Sequence, residues 1–319
     1  MSRAKADFTH SVVKILNEFY DREAIDVVPS VQQGYSSTTF LVSFADSTSV
    51  VLQFRPKNRP LVEENFLTAR SRLGDLVPSM KFLKEVDGSI HVYELTRIDG
   101  CSFSVFVKSP DYVAFLPSIA GGMGRMLGMC YVPGSRAGDE NEWSDLVQHH
   151  LQAAIESVDP LVLPNRSLYT SLLSDLRSGI LDELPLAITN EDISPTNLMV
   201  SARGVVTGLV DWEDVGKYPV GFEAKALFWL MGVGMDDGYV QHHNAGQAAN
   251  CFWVAFFSQL PEGVRKQWKA VEFAMNIGAA LATTINGECN FGHFASLQDM
   301  LSYRIPLFTE TGASEQHNI

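Results

Sequence analysis

Residues 198–210, LMVSARGVVTGLV, hold two short apolar runs separated by the turn sequence SARG. This pattern folds back on itself as an antiparallel strand pair, with Gly204 suited to the turn. The constraint is strong because flanking segments of the chain carry helical patterning. The pairing also has a chemical consequence. Asn197 stands at the start of the first run and Asp211 at the end of the second, so an amide and a carboxylate meet at one corner. The preceding loop, NEDISPTN (190–197), leads Asp192 into the same corner, and Pro195 disfavours a helix there.

Composition sets the frame. The chain has 319 residues, 46% hydrophobic and 19% charged, an ordinary globular balance with room for one large domain or two lobes. Low-complexity tracts and internal repeats are absent, which excludes disordered and solenoid classes. The first residues, MSRAKADFTHSVVKILNEFY, lack an apolar targeting core and read as an amphipathic helix with Val12, Val13, Ile15, Leu16 and Phe19 on one side. No run of about 18 apolar residues occurs, so no membrane span is expected. Cys101, Cys130, Cys251 and Cys289 are scattered without a C-x-x-C pair, which reads as reduced thiols and a cytoplasmic location. A formal charge of −13 argues against nucleic acid as a partner, since phosphate binding needs clustered Lys and Arg. An acidic surface suits a cationic small substrate and serves solubility equally well.

The first hundred residues are strand-rich. VVPSVQQGYSSTTFLVSF and SVVLQFRP read as strands joined across ADSTS, a turn composition. RPLVEENFLTARSRLGDL reads as a helix between Pro60 and Gly74, and SIHVYELTRIDG as a strand running into a glycine. A boundary falls there, giving a lobe of 1–97 and a lobe of 98–319. The second is mainly helical: SIAGGMGRMLGMC, DLVQHHLQAAIESV, RSLYTSLLSDLRSGIL, EAKALFWLMG, GQAANCFWVAFFSQL and VRKQWKAVEFAMNIGAALATTI, with the strand pair embedded at 186–213. The expected class is α+β in two lobes. GGMG at 121–124 follows no strand and reads as close helix packing instead of a dinucleotide loop. His149–His150 and His242–His243 are sequence neighbours that face different ways on a helix, which disfavours a shared metal. Asp236, Asp237 and ECNFGHF (288–294) read as loop segments.

Asp192, Asn197 and Asp211 admit two readings. As hard oxygen donors they suit Mg²⁺, with a spare carboxylate to take a proton from an attacking hydroxyl. Singly, each is an ordinary turn, cap or strand-end residue. Their convergence on one strand pair favours the first reading.

NEDISPTN followed by DWED resembles the catalytic loop and metal site of the aminoglycoside phosphotransferase/choline kinase-like enzymes. That family has a bilobal protein-kinase-like fold and moves the ATP γ-phosphate to small metabolites. Its loop runs H-x-D-x-x-x-x-N, and Asn190, Asp192 and Asn197 occupy those positions. The resemblance implies that Asp192 is the catalytic base or hydroxyl-orienting residue, that Asn197 and Asp211 hold Mg²⁺, and that Asn190 braces the loop in place of His. Glu213 would support the metal ligand, and Glu223, in GFEAKAL, would brace the loop. The NEDISPTN-like loop and QFRP strand are also similar to fungal members encoded near natural-product pathways.

The first lobe carries the matching parts. QQGYSSTTFLV resembles the phosphate-covering loop, so Gly34, Ser36, Ser37 and Thr38 would lie over the nucleotide; a plain polar hairpin has the same composition. The backbone at Glu94 and Thr96 would meet the adenine edge. Gln53 stands where the family has Lys or Arg. Arg55 shares its strand face about 7 Å further along, where it would reach the phosphates and pair with Glu63 or Glu64. An edge charge before Pro56 is the other reading. The implied activity is ATP- and Mg²⁺-dependent phosphotransfer to a small-molecule hydroxyl or amine. The alternatives are a catalytically impaired pseudokinase, motivated by Gln53 and Asn190, and a cleft repurposed for non-phosphoryl chemistry.

Overall fold

The computed structural model describes residues 8–308 other than 32, 35–36, 161, 236–237, 286–287 and 290–296, with backbone alone at 234–235, 238, 283–285, 288–289 and 297–299. Ser36, Asp236, Asp237 and most of ECNFGHF therefore lie outside the described residues. The chain forms two compact units, one comprising Met1–Gly100 with Thr207–Asp214 and the other Cys101–Val206 with Val215–Ile319.

The first unit begins with helix α1 (Thr9–Phe19), followed by strands β1 (Ala24–Pro29), β2 (Thr38–Phe44) and β3 (Ser49–Pro56). Helix α2 (Glu63–Leu73) then precedes β4 (Met80–Val86) and β5 (Ile90–Thr96). The strands form one antiparallel sheet in the order β1-β2-β3-β5-β4. Alternation along β2 and β3 turns Phe40, Val42, Phe44, Val50, Leu52 and Phe54 to one face, where Val12, Ile15 and Leu16 of α1 cover them. Each such side chain contributes about 1.5–3 kcal/mol by burial. The ADSTS turn forms as expected, with Ser47 at φ +66° and the Thr48 N–H held by Asp46 Oδ1 at 3.0 Å. Helix α2 starts at Glu63, later than Pro60 suggested. Acidic residues occupy its first turn, basic ones its last, and Gly74 caps it at φ +56°. Strand β4, MKFLKEV, escapes a pattern search because it is an edge strand, and its charged side chains break the apolar alternation.

The second unit opens with β6 (Cys101–Ser102), α3 (Phe103–Phe106), α4 (Tyr112–Met129), α5 (Glu142–Glu156) and α6 (Arg166–Arg177). Strands β7 (Leu186–Asn190) and β8 (Leu198–Val200) follow. A turn closed by the Ser201 N–H on Val205 O at 2.9 Å leads into β9 (Val206–Leu209), and β10 (Val215–Pro219) comes next. Strand β6 pairs antiparallel with β8, and β7 with β10, with Asn190 opposite Val215. The β7–β10 pair lies outside the expected strand pair; VGKYP, with Gly, Lys and Pro, carries little strand signal. EAKALFWLMG, expected as a helix, is a 3₁₀ segment (Phe222–Leu227) and a single turn α7 (Phe228–Met231). After β11 (Gly232–Met235) and β12 (Gly238–Gln241) come α8 (Ala245–Ser258), α9 (Glu262–Arg265) and α10 (Trp268–Thr283), the last two replacing one expected helix. Among the described residues no helix is long and apolar enough to cross a membrane.

Helix α4 begins well before Ser118 and runs through Pro117. Proline there cannot donate to the Val113 carbonyl. The Asn244 side-chain Nδ2 supplies the missing donor at 2.6 Å. The GGMG stretch is a packing surface as expected: α4 and α8 approach so closely that a Cβ on Gly128 would lie 2.6 Å from Phe256 O, and one on Gly124 would collide with the Phe252 carbonyl. Gly124→Ala is expected to cost about 3 kcal/mol, because backbone cannot yield as a side chain can. Denaturant unfolding measures it, and a loss under about 0.5 kcal/mol would contradict this packing.

Candidate active site

The loop after β7 is held by its own polar groups. Asn190 is 2% exposed, and its Oδ1 accepts the Asp192 N–H at 3.0 Å. Its carbonyl accepts the Ile193 N–H at 3.1 Å. An amide thus provides the local bracing expected at this position. Asn197, also buried, spends its Nδ2 twice on Asp192, at 2.8 Å to the carbonyl and 3.1 Å to Oδ2. The Ser104 N–H ties Pro195 O to the start of α3 at 2.9 Å. Asp192 itself is exposed. The structure therefore brings Asn190, Asp192 and Asn197 together, with a solvent-facing carboxylate on a fixed backbone. Glu191 is anchored separately by the Tyr218 hydroxyl at 3.2 Å. Burial, aided by the Glu191 charge, pushes that phenol's pKa well up.

In the first unit, segment Thr207–Asp214 carries Asp211. Its φ of +63° is unusual for a residue with a side chain, and unlike Ser47 and Asp87 it does not sit in a tight turn between paired strands. Asp tolerates this conformation better than most residues, and such outliers concentrate at functional positions. Anchors flank it. Trp212 is buried and donates to Leu209 O at 2.7 Å, and Asn65 of α2 donates to Glu213 O at 2.6 Å. The Glu213 carboxylate pairs with Arg55.

That pair corrects the expected partners of Arg55, which were Glu63 and Glu64. Arg55 is neither an edge charge nor bound to α2. It is 1% exposed, and its Nε donates to Arg59 O at 3.0 Å. Its Nη1 lies 3.5 Å from Gln53 Oε1. Gln53, half-buried on the same face, donates to Ser37 Oγ at 3.2 Å. The strand cation is thus sequestered, and Gln53 is the more open of the two.

A Cβ on Gly34 would lie 2.7 Å from Ser37 Oγ, so any other residue there requires that side chain to shift. Gln33, which sequence reasoning did not single out, staples the loop: its side chain donates to Ser30 O and Thr39 O at 2.9 Å each and accepts the Thr39 N–H at 2.8 Å. Asn65 was missed as well; an amide in the first turn of a helix carries no distinctive signal. Thr38 begins β2 opposite Phe54.

Glu94 and Thr96, the expected adenine contacts, both lie on β5. Glu94 sits within the ladder between Leu52 and Lys81, and its carboxylate accepts the Tyr20 hydroxyl. Burial first, then this carboxylate, raises the Tyr20 pKa. The Thr96 N–H already donates to Ser79 O at 3.0 Å. Arg97 and Ile98, the next residues, carry no hydrogen bond among those described.

Glu223 is also repositioned. Its buried carboxylate pairs with Lys225 at 3.0 Å and makes no described hydrogen bond to residues 190–197. It lines a small pocket with Thr189, Ile188, Cys130 and Phe222. The Thr189 hydroxyl has no partner among the described residues. Burial raises the Glu223 pKa above its ordinary 4.5, and Lys225 opposes the shift. The folded state therefore holds this proton more tightly than the unfolded chain. Its stabilising contribution is present below pH 4.5 and is lost as pH rises through the raised value. In Glu223→Gln that slope is expected to vanish from urea-unfolding free energies measured across pH 4–8; an unchanged slope would contradict the assignment.

No described group of three or more His, Cys, Asp or Glu side chains can hold a metal alone. Asn197 and Asp192 in one unit and Asp211 in the other offer amide and carboxylate oxygens, donors of the kind hard divalent cations take.

Known structures share this fold. A Ralstonia eutropha protein assigned to the aminoglycoside phosphotransferases superposes with a TM-score of 0.56 at 14% identity, over 85% of each chain. Macrolide 2′-phosphotransferase type I gives 0.54 at 10% identity, over 89% of this chain and 92% of that one. Amicoumacin kinase hAmiN, solved with AMP-PNP, Ca²⁺ and Ami, gives 0.54 at 12% identity, over 96% and 90%. These likenesses show the protein-kinase-like α+β fold. No curated protein matches the sequence. The model of the phosphotransferase enzyme family matches residues 27–250, more than half the chain, and the protein belongs to that family.

Proposed function

We propose that the protein transfers the γ-phosphoryl group of ATP to a hydroxyl or amine of a small molecule. The observation that carries this reading is the Asn197 amide. Its Nδ2 is committed to the Asp192 carbonyl and Oδ2, which leaves Oδ1, approached by the Thr196 hydroxyl at 3.4 Å, as the side chain's one acceptor and the atom a metal would take. In this reading Asp192 accepts the proton of the attacking group, Asn190 holds the loop, and Asn197 and Asp211 are the Mg²⁺ ligands. Mg²⁺, when bound, neutralises charge on the β- and γ-phosphates. Gly34, Ser36, Ser37 and Thr38 cover the phosphates with Gln53 beside them, and the backbone after Thr96 receives the adenine. AMP-PNP and Ca²⁺ in the amicoumacin kinase structure support nucleotide and divalent-metal use. The likeness to fungal natural-product members directs the acceptor search to such compounds, in the cytoplasm.

Thermal shift with ATP, with and without Mg²⁺, tests the first half of this reading, and ADP formation over an acceptor panel tests the second. Stabilisation that needs the metal, together with turnover on at least one acceptor, is the expected result. No response to nucleotide would defeat it. One other reading, a nucleotide-binding pseudokinase, is motivated by Gln53 and Asn190 and predicts Mg²⁺-dependent stabilisation with no ADP formed.

A further inference from the structure

The Arg55–Glu213 pair has a role that neither residue's place in the sequence assigns. We infer that Arg55 and Glu213 are a positioning pair that fixes the carboxylate of Asp211, two residues before Glu213. This inference rests on the phosphotransferase reading for its consequence, though not for its geometry. The Arg55 guanidinium is buried, and three of its nitrogens are committed, to Glu213, Arg59 O and Gln53. A buried guanidinium deprived of its carboxylate is costly, so the pair holds Glu213 firmly. Asn65 clamps the Glu213 carbonyl from α2 at 2.6 Å. The Trp212 indole N–H donates to Leu209 O, closing the chain around Val210 and Asp211. Asp211, at φ +63°, thus lies inside that closed turn and two residues before the clamped Glu213. In the other direction Gln53 reaches Ser37, so one string of polar contacts runs from the glycine-bearing loop to the metal-ligand segment. Groups behind a metal ligand orient it, and their loss costs about 10- to 100-fold in metal affinity.

Two measurements on the full chain test this. The first is backbone amide exchange of residues 207–214 without ligand. Glu213→Gln, which keeps shape and removes charge, is expected to speed exchange there about tenfold, with the β2 and β3 amides unchanged. The second is the Mg²⁺ concentration giving half of the ATP-dependent thermal shift, expected to rise about tenfold while metal-free ATP binding stays within about twofold. Arg55→Lys, which keeps the charge and loses the fork, should move both readouts the same way by a smaller factor, and serves if Glu213→Gln does not fold. Unchanged exchange at 207–214, or equal loosening of the whole unit with an unmoved Mg²⁺ requirement, overturns the proposal. If the wild type shows no Mg²⁺-dependent response to ATP, the phosphotransferase reading fails, and the exchange result alone decides the pair.

Discussion

Asp192→Asn is expected to lower kcat by about 10³-fold, the usual worth of a positioned proton acceptor, while the melting temperature stays within about 2 °C of wild type. The substitution separates chemistry from architecture. An asparagine oxygen still accepts from Asn197 Nδ2, and the residue 192 N–H still reaches Asn190 Oδ1, so the contacts that shape the loop survive. What disappears is a carboxylate on an exposed position of that fixed loop. Because binding groups elsewhere are untouched, the KM for ATP should change less than about threefold, which places the loss in the transition state. ADP formation with the best acceptor of the panel measures it. Near-normal turnover would remove Asp192 from the chemistry.

At Asp211 two substitutions are expected to agree on activity and differ on stability. Asp211→Ala and Asp211→Asn should each abolish Mg²⁺-dependent ATP stabilisation and reduce turnover at least about 10³-fold, since each removes a charge next to the transferring group. Asp211→Ala should additionally lose about 1 kcal/mol of folding stability, because alanine resists φ +63°. Asparagine enters the left-handed region readily and should keep wild-type stability. Isothermal titration with Mg²⁺ and ATP, beside urea unfolding of both variants, distinguishes the two effects. An alanine variant that retains Mg²⁺-dependent ATP binding would sink the ligand assignment. Equal stability of the two would mean that the backbone there relaxes without cost.

Local chemistry was readable and distant pairing was not. The β2–β3 hairpin announced itself through alternation and the ADSTS turn. The loop at 190–197 did so through an Asp and an Asn on either side of a proline. GGMG told of close helix packing. Strand β4 was silent because an edge strand protects itself with charges, which erases the apolar rhythm. Strand β10 was silent because Gly, Lys and Pro dilute a five-residue strand. The partner of Arg55 was misread for a different reason. The nearby acidic pair of α2 offered an obvious candidate, whereas the true carboxylate is 158 residues away, a separation no periodicity can encode. Whether an N–H on β5 is open depends on the neighbouring strand, and that neighbour was the unseen β4.

Pro117 makes the folding of α4 conditional. Its Val113 carbonyl has no donor within the helix, and the donor it receives belongs to Asn244, the residue just before α8. The N-terminal turns of α4 therefore lack a reason to persist until α8 arrives. Assembly of this helix pair should run from the glycine-packed end of α4 outward, with the proline end closing last. Asn244 acts in that sequence as a latch: one amide, remote in sequence, completes another helix's backbone and registers that the two have docked.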